Sequence, residues 1–66
     1  MTAKYSAYKT CTGWHVSALV AGRKFPVYLY GRKNFRWFSD YTYATDYSEK
    51  TAKRIVSDLR EGRLTV

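Results

Sequence analysis

The spacing of apolar residues changes once along this sequence, near Asp46, and that change decides most of what the chain can become. Before it, Trp14, Val16, Ala18 and Val20 alternate with His15, Ser17 and Leu19. Phe25, Val27 and Leu29 then alternate with Pro26, Tyr28 and Tyr30. A period of two sends successive side chains to opposite faces of a strand. After Asp46, residues Ala52, Ile55, Val56 and Leu59 recur at i, i+3, i+4 and i+7, one stripe of a helix. Strands followed by a single helix predict an α+β fold, a three- or four-stranded antiparallel meander with one C-terminal helix packed on one face.

The punctuation agrees with the periods. Thr12-Gly13, Gly22-Arg23-Lys24 and Gly31-Arg32-Lys33-Asn34 supply turns, because Gly and Asn tolerate positive φ. They bound strands at about 3–11, 14–21, 25–30 and 35–45, with Asp40 marking a bend in the last. Pro26 cannot donate to a ladder and belongs at a strand start or a sheet edge. Ser48 is placed to cap a helix over about 49–61, Glu49 sits where the helix dipole favours negative charge, and Gly62 suits the residue after its end. Glu49 and Lys53 are an i,i+4 pair. The tail from Arg63 to Val66 has room for a brief further strand.

At 66 residues the chain forms one domain, 1–66, without space for a second core. No stretch approaches the roughly 20 apolar residues that span a bilayer, and Met1 to Tyr8 lacks the pattern of a signal peptide. One cysteine, Cys11, forms no internal disulfide, which points to a reducing compartment and a soluble, cytoplasmic protein with no membrane partner. One cysteine and one histidine also exclude a structural zinc site; no metal and no cofactor are expected.

Charge narrows the partner. Twelve basic residues oppose five acidic ones, a net charge of +7. Residues 1–39 carry Lys4, Lys9, Arg23, Lys24, Arg32, Lys33 and Arg36 and no carboxylate, whereas residues 40–66 balance five against five. The whole excess therefore lies in the first 39 residues, on strands and the turns between them. It suggests nucleic acid or an acidic protein surface as partner, against the plainer reading of a surface kept basic for solubility.

Little in the sequence suggests catalysis. Cys11 and His15 flank one turn, so strand–turn–strand geometry could bring them close, yet no second group is evident to orient the imidazole. They read as a partly buried thiol and an ordinary strand histidine, and the carboxylates as caps and surface partners. The chain is expected not to be an enzyme.

The aromatics say more. Twelve of 66 residues are aromatic, more than one helix over a small sheet can cover. If Trp14, Val16, Phe25, Val27, Leu29, Phe35 and Trp37 face the helix, then His15, Tyr28, Tyr30, Arg36 and Phe38 face the other way. That face is then solvated or covered by a partner. Aromatics beside arginine stack bases and neutralise phosphates; cross-strand pairs that only stabilise the sheet are the plainer alternative. The expected contact residues are Arg23, Lys24, Tyr28, Tyr30, Arg32, Lys33 and Arg36. The sequence leaves open the facing of Tyr41, Tyr43 and Tyr47, and whether two copies pair through an edge strand.

Residues Phe38-Ser39-Asp40 through Ala44-Thr45-Asp46-Tyr47-Ser48-Glu49-Lys50-Thr51-Ala52, within roughly 35–61, resemble small proteins encoded by bacteriophages and prophages. Some of those inhibit host systems, anti-CRISPR proteins among them. The resemblance implies an accessory protein acting in a host bacterial cell on a host protein or defence complex. More loosely, Gly13-Trp14-His15-Val16 followed by a basic turn is similar to the arm-binding domain of tyrosine integrases. There, three strands and a helix bind DNA through the sheet. The Phe25–Tyr30 run and the tyrosines of 41–47 depart from that pattern, so no DNA-contacting residue is carried over.

Overall fold

The structure, a computed structural model, describes residues 3–66. Four strands, β1 (Ala3–Lys9), β2 (Trp14–Val20), β3 (Val27–Tyr30) and β4 (Arg36–Phe38), form an antiparallel sheet in the order β1-β2-β3-β4. One helix, α1 (Glu49–Arg60), packs on one face of it. This is the α+β meander the two periodicities predict.

The helix forms where its end signals lie. The Ser48 side chain accepts from the Thr51 N–H, satisfying one of the donors a helix leaves unpaired at its start. At the other end the Gly62 N–H donates to the Leu59 carbonyl and the Arg63 N–H to that of Asp58. That paired closure needs a left-handed residue, and Gly62 supplies it with φ of 76°. Ala52, Ile55, Val56 and Leu59 are buried against Val16, Leu29 and Tyr47.

Sheet register sorts the side chains. Tyr5 pairs with Ala18, Ala7 with Val16, Ala18 with Val27, and Leu29 with Trp37. These positions share the helix face, where Tyr5 also stacks on Trp37. Tyr8 pairs with His15, Ser17 with Tyr28, Tyr28 with Phe38, and Tyr30 with Arg36, all on the opposite, outer face.

Three expectations are corrected. The last strand ends at Phe38, not Thr45: Asp40 accepts from the Thr42 N–H and starts a 3₁₀ turn over Tyr41–Tyr43 instead. An aspartate whose carboxylate bonds a backbone N–H two residues on closes a turn, and that competes with strand. Phe25 does not face the helix; it lies before the start of β3 and is 77% exposed. The tail beyond Gly62 forms no strand, although Leu64 packs against the core.

The route from the turn to the helix shapes the outer face. β2 and β3 pair only at Ser17–Tyr28 and Ala18–Val27, then separate. Residues 44–47 fill the gap. The Thr45 N–H donates to the Leu29 carbonyl, and its hydroxyl accepts from the Gly31 N–H at 2.8 Å. Tyr47 exchanges both backbone hydrogen bonds with Trp14. The chain thus passes from the outer face, where Tyr43 lies on Phe38, to the core, where Tyr47 is 3% exposed. The Tyr47 hydroxyl donates to the Gly31 carbonyl, so burying the ring leaves its polar tip satisfied.

Candidate nucleic-acid interface

The outer face carries two groups of ring contacts. Tyr30 meets Phe38 edge-on at 5.4 Å, and Tyr43 lies over Phe38 at 5.2 Å. Tyr8 meets His15 edge-on at 5.7 Å. Spacings in this range suit aromatic pairs, which prefer offset or edge-to-face packing. The sheet does not leave this face wholly bare. The 3₁₀ turn folds back over part of it, and between the turn and the sheet runs an open cleft of about 380 Å³. Tyr8, Tyr28, Tyr41, His15 and Asp46 line it together with Cys11. On the same outer face the Ser6 and Ser17 hydroxyls bond across β1 and β2.

Asp46 organises one end of the cleft. Its Oδ1 accepts from the Thr12 hydroxyl at 2.9 Å and from His15 Nε2 at 2.7 Å. A carboxylate only accepts, so Nε2 carries the proton. The bonds from Thr12 and then His15 hold the Asp46 carboxyl below the usual aspartate range, since they favour its charged form. Burial, with the neighbouring Tyr28 second, pushes the Tyr8 phenol up, so it stays a neutral hydroxyl.

The imidazole therefore does have an orienting partner. The carboxylate was hard to see from the sequence because it stands 31 residues away and reads as part of a helix approach. Cys11 is exposed, not partly buried, because the turn carrying it projects from the end of β1.

The seven expected contact residues do not form one cluster. Tyr28, Tyr30 and Arg36 share the outer face, as alternation implies. Arg32 and Lys33 lie in the β3–β4 connection, next to the Tyr30 end of β3. Arg32 is already engaged: its Nη2 donates to the Asp46 carbonyl at 2.9 Å and its guanidinium lies 5.8 Å from the centre of the Tyr47 ring. Arg23 and Lys24 lie in the β2–β3 connection, at the opposite end of the sheet. The two basic turns are separated by the length of β3, roughly 13 Å at about 3.3 Å per residue.

Alternation alone did not reveal Tyr8, Tyr41, His15 or Asp46 as one site. Tyr8 could have been placed with His15 from the β1–β2 turn. Tyr41 and Asp46 depend on the chain crossing that the sequence pattern conceals.

No protein-family model, curated protein or solved structure matches this chain. Among the described residues no helix is long and apolar enough to cross a membrane, and no group of three or more His, Cys, Asp or Glu side chains is placed to hold a metal ion.

Proposed function

We propose that this protein is a non-enzymatic binding module that holds nucleic acid on the outer face of its sheet. One observation carries the reading: no outward position on the four strands bears a carboxylate, while Tyr8, Tyr28, Tyr30 and Phe38 stand there with Lys4 and Arg36. Aromatic faces stack bases without regard to sequence, and the cations neutralise phosphates. Arg23, Lys24, Arg32 and Lys33, at the two ends, extend the positive field along a bound strand.

Affinity is expected to fall steeply with salt, log K varying linearly with log salt at a slope of about −0.7 per neutralised phosphate on a single strand. An equilibrium titration of the full chain against a labelled oligonucleotide at several salt concentrations tests this. A flat response, or no binding at low salt, contradicts the proposal.

A second reading is an accessory protein of bacteriophage type that binds and inhibits a host protein. What favours it is Phe25, 77% exposed beside Pro26 and Val27, an apolar side chain that a phosphate backbone does not require. Tyr, Trp and Arg also dominate protein interface hot spots. Affinity capture with and without nuclease separates the two readings. Partners lost on digestion support nucleic acid; a stoichiometric protein that survives it supports the inhibitor.

A further inference from the structure

We propose that the cleft between the 3₁₀ turn and the sheet takes a single unstacked base and favours guanine, with Tyr28 and Tyr41 as stacking surfaces and Asp46 as the reader of the base edge. The inference rests on the nucleic-acid reading above and adds to it a strand state and a base.

Three observations support it. The cleft, at about 380 Å³, falls in the range of small-ligand sites, and its lining is aromatic with a few convergent polar groups. It opens on the face that the strands leave free of carboxylates, so a strand lying there can reach it. Asp46 is the exception to that rule, and its geometry is specific. Oδ1 is occupied by Thr12 and His15, while Oδ2 has no hydrogen-bond partner among the described residues. The side chain is 49% exposed. Those two hydrogen bonds anchor Oδ1, which leaves Oδ2 as the oxygen open to a further donor at the cleft that Asp46 lines.

A carboxylate accepts and cannot donate. Guanine presents a ring N–H beside an exocyclic amino group, two adjacent donors on its pairing edge. Adenine and cytosine place one amino group beside a bare ring nitrogen, and uracil sets a single N–H between two carbonyl oxygens. The negative oxygen attracts the first arrangement and repels the acceptors of the others. Bases inside a duplex have this edge occupied, so the site requires a single strand, loop or end.

The test is a set of equilibrium titrations of the full chain, at fixed low salt, with labelled single strands of ten uridines and of the same strand with one central guanosine. The guanosine strand should bind about tenfold tighter, near the low end of the discrimination a good base-edge contact gives, with both guanine donors directed to Oδ2. Asp46→Asn keeps an oxygen for Thr12 and His15 but places an amide donor at the position of Oδ2. It should abolish the guanosine preference, while the all-uridine strand binds no more weakly than it does to the native chain, because the charge that repels uracil's carbonyl oxygens is gone. Tyr41→Leu, at a position 65% exposed, should weaken both strands about fivefold or more, the low end of stacking on one ring. Equal binding of the two strands by the native chain, or a preference that survives Asp46→Asn, overturns the base cleft and leaves the general reading standing. Failure to bind either strand overturns both.

Discussion

Asp46 joins a turn hydroxyl, a strand imidazole and the start of the chain crossing through a single carboxylate oxygen. Because its folded pKa is held down, the stabilisation it gives is present above its unfolded value of about 3.9 and is lost as pH falls through the lower folded value. Asp40, held down chiefly by the Thr42 N–H, acts in the same direction. The urea midpoint should therefore fall between about pH 5 and about pH 3, and the fall should be smaller in Asp46→Ala. An unchanged pH profile in that variant would show that the Thr12 and His15 contacts do not hold the crossing. Tyr47 is a second residue-scale test. Tyr47→Phe leaves the Gly31 carbonyl without its hydroxyl donor and should cost about 1 kcal/mol in denaturant unfolding. Gly31 itself has φ of 105°, and a Cβ there would run into the Asn34 carbonyl, so Gly31→Ala should be the more damaging change.

Secondary-structure elements form where local chemistry and tertiary packing agree. For α1 they agree fully: cap, stripe and closing glycine all act on neighbouring residues, and each was legible in the sequence. Ser48→Ala should cost about 1 kcal/mol of stability, and Leu29→Ala, at a fully buried position, about 2–5 kcal/mol. In a domain this small, whose core supplies only about 3–5 kcal/mol, the second change should leave much of the chain unfolded in thermal melts. The facing of Tyr28, Tyr30, Arg36 and Phe38 was equally legible, since a period of two leaves no other choice. The segment 39–47 was not. Its tyrosines and threonines suit a strand, but the Asp40 side chain competes for the backbone and the gap between β2 and β3 takes up Thr45 and Tyr47. Nothing local announces a gap made by two other strands. Phe25 was misplaced for a related reason: β3 begins only at Val27, so the alternation counted back through Pro26 has no ladder to hold it.

On the scale of the whole molecule, the sheet has one face packed against α1 and one partly roofed by the 3₁₀ turn. The free edge of β1 is guarded, because Arg60 donates from α1 to the Tyr5 carbonyl at 2.9 Å. A cation over an edge strand discourages pairing with a second sheet. The basic turns at opposite ends and the aromatic outer face then leave an elongated surface on a body of about 30 × 24 × 20 Å. Amide chemical-shift mapping of the full chain, titrated with a single-stranded oligonucleotide at low salt, tests that surface most directly. The account predicts perturbations at Tyr8, Tyr28, Tyr30, Arg36 and Tyr41, with Lys50 and Arg54 on the solvent side of α1 unmoved. Shifts concentrated on α1, or none at all, would contradict it.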